Sequence, residues 1–368
     1  MVRKNIHYAW FILIACCLLQ GATLGLVQNS RGLFYAPVSK SLGCSVTQFT
    51  LQQVFFSAAN IAMLPFANKV LQRKNIRWVL CTALTFFAGA TILMGTFTRL
   101  GQWYLAAVIQ GASGAFLILM PSALLIERWF CSRKGLAYGL SAMTAGVAGI
   151  VINIVCADLA AENWRLTYLI VGGISFLMAF PSTAFVIKLD PEDKELGPYQ
   201  KQSKQNRQIK RREQRTPVRG QLLLLFTVAV MVSACSTYLQ HFPNYAGTVG
   251  KTVSVGANMT SFAMIGNTIG KLSMGALSDC VGAFKVSVLG VSAIAISFLL
   301  LLSKGTSILY VAGLLNGLSL SFSSVQMPLL FSIEYSENGY GQKLSIMMIL
   351  TNLSSSLGTI GILSLIHI

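Results

Sequence analysis

Charge is scarce in this chain, and negative charge is scarcer still. Only 11% of its 368 residues are Asp, Glu, Lys or Arg, against 54% hydrophobic, and so few charges cannot cover the surface of a water-soluble globule. The eight cysteines form no C-x-x-C pair and have no histidine beside them at metal-ligand spacing, so no metal site is readable. There is no H-E-x-x-H, no G-x-S-x-G and no carboxylate pair inside an apolar stretch, which leaves hydrolysis without a nucleophile or base. Neither an enzyme nor a bound cofactor is expected.

Apolar sequence fills the space instead. A hydrocarbon core about 30 Å thick takes roughly 20 residues of helix. Eleven windows fit, at 8–30, 46–67, 78–98, 103–126, 135–157, 166–188, 220–241, 256–276, 284–303, 308–331 and 343–366. The first follows only Arg3 and Lys4 and has no small-residue cleavage site after it, so it is read as a helix that stays in the mature protein. Most cysteines lie in or beside these windows and count as small buried hydrophobes, with Cys44 alone expected to be exposed on the outer side.

The formal net charge of +17 is unevenly placed. With the N-terminus cytoplasmic, only Arg31, Lys40, Arg99, Arg165, Lys251 and Lys304 of the 28 basic residues fall outside, as the positive-inside rule requires. That placement speaks for a bilayer and against nucleic acid as the partner. The expected partners are lipid and a small solute, the expected state is a monomer, and compact loops point to a bacterial plasma membrane.

One long polar stretch, 189–219, opens with Asp190, Glu192, Asp193 and Glu195 and ends in the basic run Lys210, Arg211, Arg212, Arg215 and Arg219. It divides an N-terminal six-helix half, 1–188, from a five-helix half, 220–368, and reads as a cytoplasmic linker near an anionic leaflet. An internal repeat supports the division. Met120-Pro121 and Glu127 recur as Met327-Pro328 and Glu334, and Gly111 recurs as Gly317. Six spans per half make the repeats parallel, with a cavity expected between them and a twelfth helix expected beyond the eleventh window.

Between the eighth and ninth windows stands Gly275-Ala-Leu277-Ser-Asp279-Cys-Val-Gly282-Ala-Phe-Lys285. It resembles the G-x-L-x-D-x-x-G-x-[RK]-[RK] signature of the major facilitator superfamily. Gly275 would allow close helix approach, Gly282 a tight turn, and Asp279 would offer a carboxylate to a cation or a helix N-terminus at the inner gate. The first-half loop keeps Arg73, Lys74 and Arg77 but has Leu71 in the aspartate's place, and leucine accepts no hydrogen bond. Three further stretches are similar to the monocarboxylate and oxalate/formate branch: Arg128-Trp129-Phe130 with Arg133-Lys134-Gly135, Asn163-Trp164-Arg165, and Pro191-Glu192-Asp193 with Leu196-Gly197-Pro198. The resemblance implies an all-α membrane protein of two six-helix halves, eleven of twelve helices being readable.

In that branch an eighth-helix arginine binds the substrate carboxylate, and its position here is Lys271, which keeps the charge but not the bidentate fork. An aspartate one turn earlier, used by proton-linked members, is replaced by Asn267, so a proton relay of that type is not expected. Arg31 approximates the family's first-helix lysine, with snorkelling to the outer headgroups as its other reading. Lys271 likewise has snorkelling to the inner surface as an alternative. Gln28, Tyr35, Tyr238 and Asn267 are polar candidates for orienting a substrate.

None of the eleven acidic residues falls mid-window, so cations in the bundle have no built-in counter-charge, which favours an anionic substrate over a cationic one. The reading is a secondary transporter of a small organic anion, a monocarboxylate or dicarboxylate, working by alternating access, with antiport and symport both open. The alternatives are a neutral solute or drug held by aromatics, and a transport-inactive sensor or fragment.

Overall fold

The computed structural model describes residues 7–73, 75–194, 196–200, 219–303, 305–335 and 337–366. Arg3, Lys4, Lys74, Glu195, Lys304 and the linker's basic run from Lys210 to Arg215 lie outside them. Eleven long helical segments run through the described residues. They are α1 (Ala9–Leu42), α2 (Val46–Leu71), α3 (Ile76–Met94), α4 (Leu100–Trp129), α5 (Lys134–Glu162), α6 (Trp164–Val186), α7 (Arg219–Ser236), α8 (Val253–Val281), α9 (Ala283–Leu301), α10 (Thr306–Glu334) and α11 (Glu337–Ile366). Eight of these are long and apolar enough to cross a membrane; the other three are α7, whose apolar stretch is Leu223–Leu239, and the long helices α8 and α11.

Trp78, Ile154, Phe185 and Leu302 are 75% exposed or more, an outside that lipid tolerates and water does not. Inside, hydroxyls bond back to their own helices: Thr23 to Leu19 O, Thr91 to Phe87 O and Ser287 to Ala283 O, at 2.7 to 2.9 Å.

The first helix runs on past the expected end near residue 30. The polar groups of Asn29 and Ser30, which lie at that expected end, are bonded within the protein. Asn29 Nδ2 donates to Ala145 O at 3.0 Å and Ser30 Oγ bonds the carbonyl of Val27 at 3.3 Å. A π-helical turn at Gly21–Gln28 and Pro37 are both accommodated before Gly43, at φ +64°, ends the helix. Burial of the cysteines also needs correction. Cys131 and Cys280 are exposed, because each follows the last apolar turn of its helix, while Cys44 is half-buried.

The chain packs as two compact units, one of Met1–Cys131 with Thr144–Tyr199 and one of Ser132–Met143 with Gln200–Ile368. In the first, α2 lies along α4, and α3 packs on α4 and α6. In the second, α8 lies along α10, α9 packs on α10, and α7 packs on α11. The two crossings share one device. A Cβ on Gly111 would lie 2.1 Å from Phe56 O, and one on Gly317 would lie 2.0 Å from Ala263 O, so the backbones touch where the repeat places a glycine.

The repeat slips by one residue between Gly317 and Met327. A π-helical turn, Phe322–Gln326, fills that interval, and i to i+5 bonding is what one extra residue makes of an α-helix. The first copy instead interrupts its helix at Ile118 and Leu119 before Met120-Pro121 restarts it.

The start of the interhelical connection is strapped to the first unit. Arg128 pairs with Asp190, Trp129 Nε1 donates to Lys188 O at 2.9 Å, Tyr8 Oη donates to Val186 O at 2.8 Å, and Tyr199 forms an isolated parallel bridge with Phe130. Gly111→Leu is expected to open the α2–α4 crossing and abolish the monodisperse peak on size-exclusion chromatography in detergent. Gly173→Ala, where no atom lies within 4 Å of the added methyl, should leave that peak unchanged.

Candidate functional site

In the second unit, α8 carries four of the expected residues, Asn267, Lys271, Gly275 and Asp279, on one helix. Lys271 is 6% exposed, and no ion pair reaches it among the described residues, where Arg128 with Asp190 is the one such pair. It lies 18 residues, about 27 Å, from the start of α8 and 10 residues, about 15 Å, from its end. The side chain is therefore buried at depth and does not snorkel. One turn earlier, the Asn267 carbonyl accepts from Ser321 Oγ at 2.9 Å. The backbone here is gripped from two sides. Gly139 of α5 faces Lys271 O, with a Cβ there falling 2.5 Å away, and Gly270 faces Ser321 of α10.

The hairpin that follows is held firmly. Asp279 accepts N–H bonds from Gly135 at 2.9 Å and Leu136 at 2.7 Å, the first free donors of α5. Gly275 and Gly135 face each other, each added Cβ falling 2.2 Å from the other's carbonyl oxygen. Gly282 has φ +103°, a conformation that a side chain would strain. Arg133, just before α5, has φ +61°, and Lys285 is exposed on the first turn of α9.

Gln326, which the sequence did not single out, braces the same hairpin from the other side. Its Oε1 accepts from Ser278 Oγ at 3.0 Å, and its Nε2 donates to Ala283 O at 2.6 Å and Ser287 Oγ at 2.8 Å. The residue is fully buried and belongs to the π turn of α10. That turn aims it across the α8–α9 loop. No pattern within α10 alone marks it.

Tyr238 is not beside Lys271. It packs with Phe242, Tyr245 and Phe298 on the cluster that includes Met259 and Ala263, at least eight residues, or about 12 Å, along α8 from Lys271.

The first unit holds the other cation. Arg31 does not reach for headgroups. Its guanidinium donates from Nη1 to Gln53 Oε1 and from Nη2 to Gln110 Oε1, the latter at 3.0 Å, and stands 4.3 Å over the Phe56 ring. Gln110 passes the bond on, Nε2 donating to Thr91 Oγ1 at 2.8 Å. Gln110 lies ten residues, about 15 Å, into α4, so Arg31 is tied to a point well inside that helix. These partners are neutral and keep the full positive charge in place.

Tyr35 follows one turn later, edge-on to Phe49 at 6.2 Å. Gln28 ends the π turn of α1, and its buried Nε2 has no hydrogen-bond partner. Gln53, Gln110 and Thr91 escaped the sequence reading because nothing in their own helices distinguishes them from packing residues. Asn60 also escaped it, although it is the repeat counterpart of Asn267; its Nδ2 donates to Gly111 O at 3.2 Å.

Membrane-length helices in a repeated arrangement mark a polytopic membrane protein. The chain belongs to the Major Facilitator Superfamily, whose sequence model matches residues 11–359. Curated relatives include the MFS-type transporter pynF of Aspergillus niger, 24% identical over 76% of this chain and 62% of that protein. The probable transporter MCH2 of Saccharomyces cerevisiae is 26% identical over 40% of this chain and 32% of its own length, and monocarboxylate transporter 4 of Gallus gallus is 24% identical over 45% and 35%. The chain thus spans less than two thirds of the length of each of these relatives.

Among solved structures, the transporter FucP in its outward conformation aligns with a TM-score of 0.69 at 15% identity, covering 96% of this chain and 91% of that one. The human organic anion transporter MFSD10 also gives 0.69, at 12% identity over 95% and 91%. These likenesses speak to the fold.

Asp279→Asn, whose amide oxygen can still accept one of the two N–H bonds, should lower the thermal midpoint in detergent less than Asp279→Leu does. Equal midpoints for all three proteins would show that the carboxylate does not brace the hairpin.

Proposed function

We propose that this protein is a secondary active transporter of a small organic anion, working by alternating access. One observation carries the reading: each unit holds a cation within its helices, Arg31 half-buried between two glutamines in one and Lys271 buried in the other, and neither is ion-paired among the described residues. A buried cation with neutral partners is stabilised by an arriving anion and repels a cationic solute. The family relative named as a monocarboxylate transporter supports a carboxylate as that anion.

The two cations differ in kind. Arg31, fixed by Gln53 and Gln110, presents a planar fork suited to a carboxylate, and Lys271 supplies a point charge. Asn267 carries no proton beside Lys271, which favours exchange of anions over proton symport. The excess of basic residues on one side supports a cytoplasmic N-terminus in a plasma membrane. Compact loops alone carry no bacterial assignment beside relatives that are fungal and avian.

Uptake of radiolabelled oxalate, formate, lactate, pyruvate and dicarboxylates into proteoliposomes tests this. Lys271→Gln is expected to reduce saturable uptake on the order of 10- to 100-fold, the worth of a charged hydrogen bond, and Lys271→Arg to retain it. Gln110→Glu hands Arg31 a carboxylate without changing shape, and should suppress uptake as Arg31→Gln does. Uptake indifferent to all of these would move the substrate to a neutral solute.

A further inference from the structure

Two side chains on neighbouring helices of the second unit are wholly buried and have no hydrogen-bond partner among the described residues. Asn316 on α10 has neither Nδ2 nor Oδ1 partnered, and Ser297 on α9 has its Oγ unpartnered; both residues are 0% exposed. Buried amides and hydroxyls are almost always hydrogen-bonded, because leaving one dry costs about 1–3 kcal/mol by mutational measure. Ordinary helix contacts do not account for the pair.

The internal repeat indicates what does. The offset of 206 that relates Gly111 to Gly317 also relates Gln110 to Asn316 and Thr91 to Ser297. In the first unit that pair is closed, Gln110 Nε2 donating directly to Thr91 Oγ1 at 2.8 Å. The helices pack alike, α3 on α4 and α9 on α10. In the second unit each residue is smaller by one carbon, Asn for Gln and Ser for Thr, and the amide does not reach the hydroxyl. The neighbouring contact is smaller as well, since Gly317 meets the backbone of Ala263 where Gly111 meets that of Phe56.

We propose that Asn316 and Ser297 form a binding site for a buried water molecule that bridges α9 and α10. The chemistry of the donors selects the ligand. Asn316 offers a donor and an acceptor and Ser297 offers both, a mixture that water matches by donating and accepting. A metal cation would satisfy the two oxygens but face the hydrogens of Nδ2. A bridging water also makes the two or more polar contacts that a buried water needs.

Thermal midpoints of the full chain in detergent test the site through Asn316→Leu, Ser297→Ala and the double variant. Each single change is expected to lower the midpoint, since it strips bonds from the water and from the remaining partner, and the double variant should lose less than the two losses combined. Single changes that raise the midpoint independently would mean a dry site and overturn the proposal. A midpoint that shifts when sodium replaces choline in the buffer, and stops shifting in Asn316→Leu, would overturn it in favour of a cation. Should the variants fail to fold, a high-resolution map of the unmodified protein decides. Density within hydrogen-bond distance of both side chains is expected, and a well-resolved site without it would overturn the proposal.

Discussion

Lipid offers no hydrogen bonds, and nearly everything in this structure follows from that. Each polar group carried into the hydrocarbon must find its partner in the protein. Threonine and serine hydroxyls fold back onto carbonyls one turn away. Asn29 bonds α5, Gln326 ties three groups of the α8–α9 hairpin, and Asp279 takes the free N–H groups that begin α5. Glycines at the crossings bring backbones into contact because close packing has to replace the hydrophobic drive that water would supply. Two cations within the helices, Arg31 and Lys271, have no carboxylate partner among the described residues, and the proposed function rests on them.

The sequence carried this architecture well wherever the signal lies along one helix. Apolar length located the spans, and the Met-Pro and glycine repeats marked equivalent helices. The hairpin motif marked its own turn, Gly282 adopting the left-handed backbone and Asp279 a helix N-terminus. What sequence could not show is which helix stands across from which. The sequence left Arg31 between a cavity-facing cation and a residue snorkelling to the outer headgroups. Its position is set by Gln53 and Gln110, twenty-two and seventy-nine residues away. Gln326 was invisible for a related reason: its direction is set by a π turn, and a single inserted residue leaves no mark in composition or periodicity.

Repetition of the fold without repetition of its chemistry is the more instructive feature. At equivalent crossings the backbone geometry is kept, Gly111 on Phe56 and Gly317 on Ala263, while the polar side chains diverge. The first unit spends its polar residues on orienting an arginine through glutamine and threonine. The second carries its cation at Lys271 instead, one turn beyond Asn267, where the first copy has Leu64 at the matching offset. Packing constrains the backbone at these crossings to within a fraction of an ångström, so substitutions that respect it are free to change what the side chains hold.

The same packing offers a physical reason for lysine at position 271. Around it α8 is pressed by Gly139 on one side and by Ser321 against Gly270 on the other. A guanidinium is planar and needs donors or acceptors arranged in its plane, as Gln53 and Gln110 are for Arg31. One turn before Lys271, the backbone carbonyl of Asn267 is already engaged by Ser321 Oγ. An ammonium asks for no such frame, since its charge is compact and its stem flexible. On the proposed reading, Arg31 with its two glutamines can fix the direction of a carboxylate, while Lys271 supplies attraction without direction, so discrimination by carboxylate shape is a property of the Arg31 frame.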